Sequence, residues 1–140
     1  MALPSHLTLE IVTPDRAIAH AEVDEVQIPG AEGYLGILPG HTPLLATLQV
    51  GQMWYRRGQD RQYLSIAFGF AEILPDRVTI LAQIAERAED IDIERAEAEK
   101  RQAEERMSKR GSAADLDLAR ISMLKALSRL QVARKARNRP

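Results

Sequence analysis

Beyond residue 86 the chain gives up nearly every residue that turns or anchors a sheet. Six of its seven prolines, seven of its eight glycines and all six aromatics lie in residues 1–86. The 54 residues from Arg87 onward hold one Gly, one terminal Pro and no aromatic. Glycine and proline punctuate turns and strands, and long helices keep both out of their interiors. The division therefore predicts two devices: a β domain over residues 1–86 and a helical segment over 87–140.

The first segment shows the period of two. Leu7, Leu9 and Ile11 alternate with Thr8, Glu10 and Val12 before Thr13-Pro14-Asp15 turns the chain. Met53 and Tyr55, then Leu64 and Ile66, flank Arg57-Gly58-Gln59-Asp60, which is a hairpin signal. Ala71–Leu74, Pro75-Asp76, then Val78, Ile80 and Ala82 give another. Short strands with a turn between each predict a β-sandwich or barrel, and the sandwich is the reading adopted. One stretch, Gly30 to Leu45, packs four glycines and two prolines around a short apolar strand. It lacks the GxxxxGK[ST] of a phosphate loop, since Gly-Lys occurs nowhere, and reads from spacing as a corner of the sandwich.

The second segment predicts two helices. Asp90 or Asp92 caps a first helix ending near Ser108, and Ser112 or Asp115 caps a second ending near Arg137. The short Lys109-Arg110-Gly111-Ser112 link predicts an antiparallel hairpin. Ile93, Ala96, Lys100, Ala103 and Met107 keep 3-4 spacing on the first helix; Leu116, Ala119, Met123, Ala126, Leu130 and Ala133 keep it on the second. A seam this rich in alanine buries few methylenes, so the pair is weak alone. Leu118, Ile121, Leu124 and Leu127 form a further apolar face that needs the sandwich or another protein.

Composition excludes several classes. No cysteine is present, so disulfides and thiolate metal sites are out, which fits a cytosolic setting. No apolar run of about 18 residues exists to span a bilayer, and the start lacks the order of a secretory signal. His6, His20 and His41 show no metal spacing, and no nucleophile motif occurs, which argues for a binding or regulatory protein rather than an enzyme. Charge is segregated: residues 1–86 carry 5 basic and 10 acidic groups, residues 87–140 carry 14 and 10. Residues 118–140 hold seven Lys and Arg and no acid. Without aromatics to stack bases on, this stretch suits an acidic protein surface or nucleotide phosphates better than nucleic acid.

Several runs together resemble one family. These are Val12-Thr13-Pro14, the long Glu32-Gly33-Tyr34-Leu35-Gly36-Ile37-Leu38-Pro39-Gly40-His41-Thr42-Pro43-Leu44-Leu45, Phe68-Gly69-Phe70, Val78-Thr79-Ile80-Leu81-Ala82 and Asp90-Ile91-Asp92. In them the chain resembles the epsilon subunit of bacterial F-type ATP synthases over nearly its whole length, which replaces the plain-corner reading of residues 30–45. The resemblance implies an α+β fold, a ten-stranded β-sandwich followed by an antiparallel two-helix hairpin. It implies a central-stalk rotor subunit without a catalytic site, peripheral on the cytoplasmic face of the inner membrane and not inserted in it. Such a subunit couples proton transport to ATP synthesis, and its mobile C-terminal helices inhibit ATP hydrolysis.

The implied partners are the gamma subunit, the c subunits of the rotor ring, and transiently the catalytic β and α subunits. Glu32 is the implied ring contact and His41 lies toward gamma. Lys125, Arg129, Arg134 and Lys135 are the implied groups for an acidic segment of β. No cofactor is required, but some members bind regulatory ATP through an I/L-D-x-x-R-A motif. Here Ile91-Asp92-Ile93-Glu94-Arg95-Ala96 matches it, with Glu86 before it and Lys125 and Arg129 on the second helix. Gln102 and Lys125 stand where binding members carry Arg. Asp92 as a plain helix cap and Arg95 paired with a nearby acid is the competing reading of that motif. A stand-alone ATP sensor whose helices fold on nucleotide, and a nucleic-acid binder using the basic helix, are the alternatives at the level of function.

Overall fold

The structure is a computed structural model and describes residues 3–137. Among them seven strands precede the helices: β1 Leu7–Val12, β2 Ala17–Val23, β3 Glu25–Gly30, β4 Gly33–Ile37, β5 Leu44–Arg57, β6 Asp60–Ile73 and β7 Arg77–Arg87. A single turn of 3-10 helix, Ala88–Asp90, leads to α1 Ile93–Ser108 and α2 Ala113–Arg137. The strands form one mixed sheet in the order β2-β1-β7-β6-β5-β3-β4. β1 runs parallel to β7, and every other pairing is antiparallel.

The sheet folds over itself, so that β2 returns against β5 and both layers share one core. Leu7, Leu9, Ile28, Ile37, Met53, Leu64, Ile66 and Ile80 are completely buried there. Their alternation along short strands is what the period of two predicts, because successive side chains point to opposite faces.

Seven strands, not ten, is a correction, and it has a specific cause. β5 and β6 each run 14 residues and β7 runs 11. Each passes through a kink without ending. The ladder skips the row Gln49–Phe68–Gln83 but keeps its register on both sides. Across that row the buried positions change parity in all three strands. Leu48 gives way to Met53 and Tyr55, Leu64 and Ile66 to Ala71 and Ile73, and Val78, Ile80 and Ala82 to Ala85. Phe68 at φ 63° and Gly69 at φ 131° make the kink. A methyl group on Gly69 would lie 2.1 Å from the Leu81 carbonyl oxygen, so the strands approach too closely there for any side chain.

The predicted turns stand. β5 and β6 join at Gly58, whose N–H donates to Asp24 Oδ2 at 2.6 Å. His6 Nδ1 lies 2.9 Å from the other oxygen of Asp24, and Arg56 Nε donates to Glu25 at 2.7 Å. Tyr34 reaches across β3 and its hydroxyl accepts from Gln52 N at 3.3 Å, above Gly51.

The helices also begin where their caps predict. The Asp92 carboxylate accepts from Arg95 N at 3.1 Å, and Ser112 Oγ accepts from Asp115 N at 3.1 Å. The two helices pack through their alanines. Ala96, Ala103, Ala119, Ala126 and Ala133 are all buried, while Met107 at the end of the first seam stays exposed. Ile93 and Ala133 border one groove between the helices, and Arg106 and Ala119 border another.

The face α2 turns to the sandwich is mostly polar. Ser128 and Ser65 hydroxyls meet at 2.8 Å, both buried. Lys125 Nζ sits 5.7 Å above the Phe68 ring and Lys135 Nζ 5.3 Å above Tyr63. The apolar part is one small cluster of Ala88, Ile91, Val132 and Ala133 with Tyr63, Ile93 and Ala136 around it. The leucines expected to need cover do not find it on the sandwich: Leu118 is 63% exposed and Leu124 55%.

Candidate functional site

The end of β7, the first half of α1 and the middle of α2 converge on a cavity of about 270 Å³. Ser65 and Ala67 on β6 and Ile84 and Glu86 on β7 form its floor; Arg95, Glu99, Lys125 and Arg129 come from the helices. Arg95 and Glu99 share a face of α1 because residues four apart stack on a helix. Lys125 and Arg129 share a face of α2 for the same reason.

Arg129 organises the site. Its Nη2 donates to Glu86 Oε2 at 3.1 Å and its Nη1 to Glu99 Oε2 at 3.0 Å. Nε lies 2.8 Å from Glu86 Oε1 as a charge contact without hydrogen-bond alignment. The side chain is only 13% exposed, so its guanidinium is largely out of water and both carboxylates compensate it. Glu99 also holds Arg95, with Oε1 3.2 Å from Nε. Three cations and two carboxylates leave the lining one positive charge in excess. Such an arrangement can take an anion.

Four of the six residues expected at a nucleotide site therefore meet here: Glu86, Arg95, Lys125 and Arg129. Ile91 and Asp92 do not line the cavity. Ile91 is buried in the apolar cluster under α2, and Asp92 caps α1. The cap and the Arg95–Glu99 pair are both features of the competing reading, and they coexist with the cavity. Gln102 is exposed and away from it.

The other expected contact residues lie elsewhere. Glu32 is exposed on the β3–β4 turn and borders a hollow of about 410 Å³ with Tyr34, Leu44 and Leu45. His41 follows β4, and its Nδ1 donates to the Thr42 carbonyl at 2.6 Å. Arg134 borders the groove between the helices, and Lys135 lies over Tyr63.

Residues 6–88 match the family of the ATP synthase delta/epsilon chain β-sandwich domain, and residues 89–134 match that of its long α-helix domain. The chain belongs to the ATP synthase epsilon-chain family. It is 49% identical over 133 residues to the ATP synthase epsilon chain of Herpetosiphon aurantiacus, covering 95% of this chain and 98% of that one. The epsilon chain of Koribacter versatilis is 51% identical over 102 residues, 73% of this chain and 72% of its own. The fold is similar to a chain in the Euglena gracilis mitochondrial ATP synthase, with a TM-score of 0.82 at 24% identity over 95% of this chain and 84% of that one. A chain of the Tetrahymena thermophila mitochondrial enzyme is similar at a TM-score of 0.62 and 14% identity, over 93% and 95% of the two chains. An epsilon chain is a subunit of the synthase rather than one of its catalytic subunits.

Within this epsilon chain, Glu99 and the two serines were not among the expected site residues. Glu99 had a signal: it stands four residues after Arg95, the spacing of a helical ion pair. Ser65 and Ser128 had none, because their contact joins positions 63 residues apart.

Proposed function

We propose that this epsilon chain is a central-stalk rotor subunit whose helices switch between a docked and an extended state. Residues 1–86 are the anchor, bound to gamma near His41 and seated on the c-subunit ring near Glu32. Residues 87–140 are the mobile part, an antiparallel hairpin in the docked state. Extended, they meet the catalytic β and α subunits through Lys125, Arg129, Arg134 and Lys135 and restrain ATP hydrolysis while proton-coupled synthesis continues. The complex is peripheral, on the cytoplasmic face of the inner membrane.

The observation that carries this reading is the position of Arg129. One side chain of α2 is tied both to the sandwich through Glu86 and to α1 through Glu99. A ligand that competes for Arg129 acts on the whole docked arrangement. We assign that role to ATP, with Arg95, Lys125 and Arg129 on its phosphates and Glu86 orienting Arg129. Differential affinity for the docked state is all a ligand needs to shift the balance.

Two experiments test it. Tagged full-length chain, expressed with the other subunits, is expected to recover gamma, and failure to do so removes the rotor assignment. Calorimetric titration with ATP should give a binding isotherm for the wild type and none for Arg95→Ala. Absence of heat from both at millimolar ATP ends the nucleotide assignment and leaves the rotor one standing.

A further inference from the structure

The geometry points to Glu99 as a built-in competitor for nucleotide phosphates, a residue that sets how tightly the cavity holds ATP. The inference rests on the nucleotide reading above. Both oxygens of Glu99 are in use: Oε1 is 3.2 Å from Arg95 Nε and Oε2 is 3.0 Å from Arg129 Nη1. A carboxylate that gives one oxygen to each of two guanidinium groups competes with phosphate for them, since both offer anionic oxygen acceptors to arginine N–H groups.

The two acids of the cavity differ in what they hold. Among the described residues Glu86 pairs with Arg129 and is 27% exposed; Glu99 bridges Arg95 and Arg129 and is 38% exposed. Glu86 keeps Arg129 in place whether or not an anion is present. Glu99, nearer to water and on a flexible stem, can swing out and release both arginines at once. Lys125, whose charge rests over the Phe68 ring with no carboxylate in contact among the described residues, is the cation already free for a first phosphate. An incoming polyphosphate would then take Arg95 and Arg129 in exchange for Glu99.

Calorimetry on the full chain tests this, using ATP and inorganic triphosphate as probes with wild type, Glu99→Gln and Glu86→Gln. Removing the charge of Glu99 while keeping its shape is expected to tighten both probes by about tenfold or more, the scale of a charge-assisted hydrogen bond. Glu86→Gln is expected to weaken them. Hydrogen exchange on α2 checks that Glu99→Gln stays docked; if it does not, Glu99→Asp, which keeps the charge but cannot span both arginines, takes its place with the same expected direction. ATP bound equally or more weakly by the Glu99 variants than by wild type overturns the competitor role and leaves the nucleotide site intact. No binding by any variant overturns both.

Discussion

Arg129 on α2 donates to Glu86 at the end of β7, and the pair is a charged tie between the helices and the sandwich. Truncating Arg129 to Ala leaves Glu86 and Glu99 without their shared cation. We expect docking to weaken by about 1–3 kcal/mol, read as faster hydrogen exchange along α2 with the strands unchanged. Arg129→Lys has one point of charge and no fork, so it should fall between wild type and Ala. Unchanged exchange in Arg129→Ala would show the tie to be incidental.

Gly69 is the most tightly enclosed of the glycines. With φ at 131° and no space for a Cβ, Gly69→Ala is expected to lower stability by about 2–4 kcal/mol. Gly36, with open space around it, is the control: Gly36→Ala should stay within about 1 kcal/mol of wild type. Urea midpoints of the two variants measure the difference.

Asp24 makes the fold sensitive to acid. The Gly58 N–H and then His6 hold its carboxyl below the ordinary value of 3.8. A depressed folded value means the stabilisation is complete above 3.8 and is lost as pH falls through the lower folded value. Wild type should therefore exceed Asp24→Asn in melting temperature at neutral pH, and the gap should close at pH values below 3.8. A gap that persists into strong acid would count against the assignment.

The alanine seam between the helices is close-packed. Ala126 is wholly buried, and Ala126→Leu should cost about 1–3 kcal/mol by forcing α1 and α2 apart. Circular dichroism of the full chain with temperature would record an earlier loss of helix. An unaltered or later transition would mean the seam has room.

Asp92 separates the cap from any ligand role. Asp92→Ala removes the acceptor for Arg95 N and should cost about 1 kcal/mol of local helix stability. The expected readout is faster exchange confined to the first turn of α1, measured without nucleotide.

Much of the fold was legible because Pro and Gly mark their turns locally. Pro75-Asp76 and Arg57-Gly58-Gln59-Asp60 end strands wherever they stand, and the hairpins follow. The alanines at 3-4 spacing likewise identified the helix seam. The kink at Phe68 was not legible, since a phenylalanine adopts positive φ only when the surrounding strands impose it. The count of ten came with the family resemblance, whereas β5, β6 and β7 each run through the kink as one strand. The docking face of α2 misled for a different reason: Leu118 and Leu124 read as needing cover, yet they stand exposed, while Lys125, Ser128 and Arg129 meet the sandwich. Which face a helix buries depends on what the other surface offers, and here it offers Ser65, Phe68 and Glu86. Half of the cavity's lining, Glu86, Arg95, Lys125 and Arg129, was reached through the family resemblance, whereas Glu99 was reachable through its spacing from Arg95.

The polar character of the α2 docking face also has a thermal consequence. Heat-capacity changes follow apolar surface moving in and out of water, and here that surface is limited to the small cluster around Val132 and Ile91. Lifting α2 from the sandwich should carry a small heat-capacity change. The proposed balance between docked and extended helices would then respond to temperature through one nearly constant enthalpy, so that its van't Hoff plot stays straight where a large apolar interface would curve it.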